Sequence, residues 1–389
     1  MSRPVVVADV SQFFRDPYAS GIQRVLWGLA ANWPINTAEC HFVYSGNQRQ
    51  YRVLTGTAFS SVVAELFATE LPRSEWKSFV QDRGRTLSKA SLPLKSLIGS
   101  ADVWLLPEIT YDRAILRVMD LAARRVPTSM VFYDAFTETH PGSYAQGPGY
   151  SVVSQYSRRA ATCASVVSIS EYSRDILVNR LRRDIGKTYV AHPGGDHVEP
   201  QRSPVPAVPT FAVVSTLEAR KRHGEIIAAF RSLARTIPHA RLVLAGRKSG
   251  TSGPIENAIA SGQKDGARIT WLPAPTDEEI RRLYQTATAV FSIGDEGYGI
   301  SVVEAIRQGC PVAFAGTQPA AEVCDTIGAR RLAGSSRESI HEFMAAAADQ
   351  SFAKELRESV SPDAVPKWSK FASGVAEGVL DAGSSKRAL

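Results

Sequence analysis

The sequence predicts an α/β protein of two doubly wound domains, each a parallel sheet covered by helices on both faces. Three observations predict it. Short apolar runs alternate with helical-period segments along almost the whole chain, the pattern of βαβ units. With 389 residues the chain is too long for one small core and suits two domains of ordinary size. Residues 198–209 hold four prolines, which exclude both a helix and a central strand, so this stretch separates two such series.

In the first series, 5–10 reads as the opening strand, followed by a polar loop through Gly21 and a helix over 22–32. Further strands are expected at 41–44, 103–106, 128–132 and 165–169, and helices at about 58–70, 111–125 and 171–182. Ser170 suits the N-cap of the last of these, with Ser173 behind it. In the second series the strands are 211–215, 241–245, 268–272, 289–293 and 311–315, with helices at about 222–236, 276–286 and 300–308. A terminal helix is expected at 373–380 and a disordered tail from Gly383. The domains are therefore drawn at 1–200 and 201–370, with 371–389 as an appendage.

Hydrophobic content of 44% and charged content of 21% are those of a globular protein. No apolar run is long enough to span a bilayer, and the N-terminus lacks a basic segment followed by a long apolar core, so a cytoplasmic location is expected. The four cysteines, Cys40, Cys163, Cys310 and Cys324, are scattered without a Cys-x-x-Cys pair. Neither a disulfide framework nor a zinc cluster is expected, and Cys163 and Cys310, in apolar runs, read as buried thiols. No histidine pair has i, i+4 spacing and no Asp-x-Asp occurs, so no metal and no cofactor are expected.

The net charge of +7 invites an anionic partner. The cations are dispersed and no nucleic-acid motif occurs, which favours anionic lipid or a nucleotide diphosphate over nucleic acid. Segment 73–95 carries Arg73, Lys77, Arg83, Arg85, Lys89 and Lys95 among Trp76, Phe79, Val80, Leu87, Leu92 and Leu94. That mixture could lie on an anionic inner membrane, or form a solvated helical face with a core-facing stripe.

The densest chemistry lies in 289–323. An apolar strand runs into the loop Gly294-Asp-Glu-Gly-Tyr-Gly299, then a helical segment opens at Ile300 and Ser301 and ends before Gly309, a C′ glycine. Small residues feeding a helix N-terminus present backbone N–H groups and the positive end of the helix dipole, which suits a diphosphate. Glu296 and Glu304, with seven residues between them, bracket that start; the first can reach a sugar and the second a ribose. A second cluster, Arg220-Lys221-Arg222, follows a strand and opens a helix, where cations are unfavourable unless they meet an anion. Arg220 offers a planar fork and Lys221 a point charge for two phosphates.

The Glu-x7-Glu frame, Gly-Tyr-Gly, Gly-Cys-Pro-Val and Pro-Ala-Ala-Glu-Val occur in that order and resemble the nucleotide-sugar signature of family 4 retaining glycosyltransferases, which adopt the GT-B fold. The string Leu217-Glu-Ala-Arg-Lys resembles the same family's Glu-x-Arg-Lys motif. Ser20-Gly21-Ile-Gln-Arg-Val resembles the opening of a subgroup that builds bacterial surface polysaccharides. The resemblance covers nearly the whole chain; it is strongest over 211–323 and loosest over 45–100, where acceptor recognition would vary.

The resemblance implies two Rossmann-like domains facing across a cleft, the first on the acceptor side, and a last helix that crosses back to the first domain near Trp368. It implies that Arg220 and Lys221 neutralise the leaving diphosphate, that Glu296 and the N–H groups of Gly297, Tyr298 and Gly299 hold the sugar, and that Glu304 takes the ribose. Gly21, Ser215, Ile300 and Ser301 would border the donor, although the family often has glycine where Ser215 stands. Asp134, at the carboxyl end of an expected strand, joins Arg220, Lys221 and Glu296 in the candidate catalytic set. Many relatives have a donor-contacting histidine before this aspartate; here it is Tyr133, and His140 is a second candidate on the acceptor side. The implied activity is transfer of a hexose with retention, mannose from GDP-mannose first, then fucose or rhamnose. The acceptor would be a lipid-linked glycan in lipopolysaccharide, O-antigen or exopolysaccharide synthesis. The alternatives are a non-catalytic nucleotide-sugar-binding adaptor, a sugar nucleotide epimerase of the same fold, or a phosphorylase.

Overall fold

Strands buried on both faces need apolar side chains throughout, and that requirement places both sheets. The structure is a computed structural model that describes residues 3–46, 50–143, 148–181 and 187–384. The chain forms two units: Met1–Thr139 with Gln146–Gly194 and Lys367–Leu389, and His140–Ala145 with Gly195–Pro366. The divisions drawn from sequence at 200/201 and 370/371 thus fall at Gly194/Gly195 and Pro366/Lys367. A glycine is required at 194 because a Cβ there would lie 2.3 Å from the Trp368 nitrogen, and the Gly195 N–H donates to the Pro366 carbonyl at 2.9 Å.

The first unit holds β1 (Val5–Asp9), β2 (Glu39–Ser45), β3 (Gln50–Leu54), β4 (Ala90–Pro93), β5 (Val103–Leu106), β6 (Thr128–Phe132), β7 (Ser165–Ser168) and β8 (Thr188–Val190). Their order in the sheet is β4-β3-β2-β1-β5-β6-β7-β8, parallel except where β3 meets β2 and β4. The antiparallel edge was not expected from sequence, because Gln50, Arg52 and Ser91 break the apolar run. The loop expected before Gly21 contains a helix, Ser11–Arg15. It forms because Phe13 and Phe14 are buried, Phe13 edge-on to Phe59 and Phe14 stacked on Tyr44 at 3.7 Å. Ser170 caps helix Glu171–Leu181 as expected, accepting from the Ser173 N–H at 3.0 Å.

Helix Trp368–Ser384 completes this unit. Trp368 fills the space that Gly28 leaves, where a Cβ would lie 2.1 Å from the indole, and Gly378 lets the helix lie on Val167 and Tyr189. Lys187 pairs with Asp381 at 3.1 Å. The helix extends beyond the expected 373–380 at both ends and takes in Gly383 and Ser384, where a disordered tail was expected; residues 385–389 lie outside the described residues. The basic segment 73–95 forms helix Arg73–Leu87, whose Val80 and Gly84 are buried, and then β4. Among the described residues no helix is long and apolar enough to cross a membrane, and all four cysteines are buried and outside any disulfide.

The second unit is a six-stranded parallel sheet of β9 (Thr210–Val214), β10 (Arg241–Ala245), β11 (Ile269–Leu272), β12 (Ala289–Ile293), β13 (Val312–Ala315) and β14 (Ala329–Arg331). The order β11-β10-β9-β12-β13-β14 reverses direction between β9 and β12. These two pair directly, Phe211 opposite Ala289 and Ala212 opposite Val290. At such a switch point the connections leave to opposite sides and a crevice opens at the carboxyl ends of the strands. Helices Arg337–Ala347 and Gln350–Glu358, which were not expected, cover part of this sheet through Ile340, Phe343, Met344 and Leu356.

Candidate active site

The switch point brings together the loops after β9 and β12. Only glycine allows their approach. Gly294 has φ +96°, and a Cβ there would lie 1.9 Å from the Arg220 carbonyl oxygen. Residues Ala219–Lys221 form a single 3-10 turn, and Arg222 takes a left-handed conformation at φ +52° before helix His223–Ala234 begins. A left-handed non-glycine residue is costly. Here it turns Arg220 and Lys221 toward β12.

Lys221 Nζ lies 2.6 Å from Glu296 Oε1, and Arg220 Nη1 lies 3.3 Å from Glu296 Oε2. Arg220 also donates to the Asp295 carbonyl and sets Nε 2.8 Å from Glu218 Oε2. Burial pushes the Glu296 carboxyl up, but the Lys221 and Arg220 cations overcome it and hold the group at about 2. The expected trio is therefore one partly buried cluster of fixed charge.

Behind it stands His223, which carried no role in the sequence analysis. Its Nδ1 faces the Glu218 carbonyl at 3.3 Å, an oxygen that can only accept. Nδ1 therefore carries the proton, and Nε2, 3.2 Å away, accepts from the Ser215 hydroxyl. Burial and the nearby Lys221 cation push His223 down to about 4, so the ring is neutral. Ser215 thus has a partner within its own unit, through which the end of β9 is tied to the cationic turn.

Helix Ile300–Arg307 starts at Gly299, whose φ of +99° replaces a side-chain cap. The first N–H groups of a helix have no intrahelical partner, so Ile300 and Ser301 present theirs at the loop. Glu304, one turn in, accepts at 3.1 Å from His197 Nε2 and at 3.5 Å from the Tyr284 hydroxyl. His197 was missed because its partner, Glu304, is far away in sequence and set by tertiary contact. Gln318 was missed as well. Fully buried, it donates to the Gly294 carbonyl at 2.9 Å and accepts from Ser292 at 2.7 Å, bracing the turn from below.

Asp295 joins the same turn to His140, whose Nε2 lies 3.0 Å from Asp295 Oδ2, while the Thr317 N–H reaches Oδ1 at 3.1 Å. Burial raises the Asp295 carboxyl, but Thr317 and His140 bring it below its ordinary value. His140, expected on the acceptor side, belongs to the second unit and touches the residue next to Glu296.

In the first unit, Gly21 opens helix Gly21–Ala31, which Ser20 caps by accepting from the Gln23 N–H at 3.3 Å. The Tyr133 phenol is buried and donates to the Pro107 carbonyl at 2.8 Å, and burial raises it well above its ordinary value. Asp134 Oδ1 accepts from the Phe136 N–H at 3.1 Å. At the carboxyl ends of β1 and β5 lie two buried acids that the sequence did not flag, Asp9 and Glu108, each with one carboxylate oxygen without a hydrogen-bond partner. Burial pushes Asp9 up to about 6 and Glu108 up to about 8. Gln23 donates to Glu108 at 3.3 Å and accepts from the Tyr18 and Ala19 N–H groups, fixing the turn before Gly21.

Residues 199–357, which contain the entire charge cluster of the second unit, match the family model described as glycosyl transferases group 1. This region resembles the group 1 glycosyltransferases. The family 4 resemblance read from the motifs agrees with it. The serotype-specific mannosyltransferase WbdA of Escherichia coli is 27% identical over 118 residues, which are 30% of this chain and 14% of that protein. The chain therefore matches only a small part of that relative. Among solved structures, Alr3699/HepE of Anabaena in complex with UDP-glucose matches with a TM-score of 0.62 at 15% identity, covering 100% of both chains. A glycosyltransferase from Rickettsia africae matches with 0.60 at 13%, covering 99% of both. At these identities the likeness is one of fold, and it agrees with the two Rossmann-like units seen here. Within the matched region, the family match and the switch-point geometry fall on the same loops.

Proposed function

We propose that this chain is a retaining hexosyltransferase that takes its sugar from a nucleoside diphosphate donor. The Lys221–Glu296–Arg220 cluster at the start of helix Ile300–Arg307 carries the reading. A leaving diphosphate develops negative charge, and two cations beside a helix N-terminus are preorganised to receive it. Removing one such donor typically costs on the order of 10²–10³ in rate. Glu296 would hold sugar hydroxyls, with the N–H groups of Gly297, Tyr298 and Gly299 beside it. Glu304, already oriented by His197, would take the ribose. No metal and no cofactor has a part in this scheme. The likeness to WbdA, a mannosyltransferase, favours mannose, with GDP-mannose as donor, and a bacterial surface glycan as acceptor. The exposed cations of helix Arg73–Leu87 would bring the enzyme to the anionic membrane that holds a lipid-linked acceptor.

A thermal-shift panel of GDP, UDP, dTDP, ADP and their common sugars tests this. A ligand at about 100 times its Kd adds about 2.7 kcal/mol, a readable shift. A shift with one base, lost in Arg220→Ala, is the expected outcome. No shift with any of them overturns the reading.

A further inference from the structure

The candidate donor site holds a conflict. Arg220 and Lys221, the two cations offered to a diphosphate, are already occupied by carboxylates of the same unit. Glu218 lies against Arg220 Nε at 2.8 Å, and Glu296 lies against Lys221 at 2.6 Å and Arg220 at 3.3 Å. Two cations and two carboxylates balance, so the cluster presents little net charge to an arriving anion. Arg220 and Lys221 are also largely buried, with side-chain exposures of 8% and 13%, so water does little to screen these pairs.

We infer that Glu296 discriminates between an intact sugar nucleotide and the spent nucleoside diphosphate, because it competes with phosphate for Lys221 and yields only when sugar hydroxyls replace the cation as its partner. The inference rests on the proposed donor site. Its physical basis is the cost of a buried carboxylate deprived of its cation. When phosphate oxygens draw Lys221 away, Glu296 stays in place on the short loop between Gly294 and Gly299. A donor sugar brings hydroxyl groups that donate hydrogen bonds to the carboxylate. A free diphosphate brings none, and its additional negative charge repels Glu296. Once the sugar has gone to the acceptor, Glu296 closes again on Lys221 and expels the product. The same residue thus favours donor entry and product exit.

Isothermal titration of the full chain tests this with GDP, UDP, dTDP and ADP, each beside a sugar ester of the same base. Wild type should bind the sugar ester more tightly than the free diphosphate of the responding base, despite the lower charge of the ester. In Glu296→Gln the free diphosphate should bind about tenfold more tightly than in wild type, the scale of one charged contact, and the preference for the ester should vanish. The variant's melting curve checks that it is folded, and the wild-type ordering stands as a test without any variant. A wild type that binds free diphosphate better than the ester overturns the inference while leaving the donor site intact. So does a folded Glu296→Gln with unchanged diphosphate affinity. Absence of binding by every ligand in the panel overturns both the site and the inference.

Discussion

Glu296 in the second unit and Glu108 in the first are carboxyls at the carboxyl ends of parallel strands, the first partly and the second fully buried, yet they are held on opposite sides of neutrality. Glu108 is pushed up to about 8 by burial, which its bonds from Gln23 and the Phe13 N–H only partly offset, while Asp16 and Asp9 add to the rise. Burial raises Glu296 as well, but it faces Lys221 and Arg220 and is held at about 2. Asp9 stands between them: hydrogen bonds from Ser11 and the more distant Arg15 offset part of its burial, leaving it at about 6. The comparison teaches that burial alone does not create a charged site. The sequence must bring cations into contact with the carboxylate, as it does for Glu296 through Lys221 and Arg220.

Removing a cation from the paired carboxylate should break the contrast most strongly. Lys221→Met leaves Glu296 with Arg220 alone, and a buried charge that loses a partner costs about 3 kcal/mol. Urea unfolding followed on the second unit should register that loss; a loss below the error of extrapolation would mean that the pair contributes nothing to stability.

Glu108→Gln sharpens the other side. The folded Glu108 keeps a proton that the unfolded chain has released, so its stabilisation is full below about pH 4.5, declines as pH rises and is gone above about pH 8. The slope is at most about 1.4 kcal/mol per pH unit. The glutamine variant should remove that decline from the melting temperature between pH 5 and 8, and an unchanged profile would refute the assignment. Glu296 has the opposite sign: its contribution is present above about pH 4.5 and is lost as pH falls through about 2.

The smallest effect belongs to Asp9→Asn. It should remove a decline confined between about pH 3.8 and 6, again visible in melting temperature against pH. A window as wide as that of Glu108 would show that Ser11 and Arg15 do not moderate Asp9.

The same contrast shows what the sequence made legible. Strands 103–106, 128–132, 241–245 and 289–293 were read with the boundaries observed, because strands buried on both faces are short unbroken apolar runs. β3 and β4, at the antiparallel end of the sheet, escaped because Arg52 and Ser91 interrupt the apolar run. Arg220, Lys221 and Glu296 could be read because opposite charges on two strand-end loops are conspicuous before any folding. His197, His223 and Gln318 could not, since each acts through a partner fixed by tertiary contact. Glu108 was invisible for a related reason: nothing local says that a glutamate after an apolar strand will be sealed from water.

The returning helix Trp368–Ser384 has a consequence for biosynthesis. The strands of the first unit leave the ribosome well before the helix that covers β7 and fills the gap at Gly28, because the entire stretch from Gly195 to Pro366 is made in between. During that interval Val167 and Tyr189 lack their cover, while the second unit, contiguous apart from His140–Ala145, emerges between them. An uncovered apolar sheet is the usual handle for chaperones and for aggregation. Nascent chains of this protein are therefore most exposed to both while the second unit is being translated.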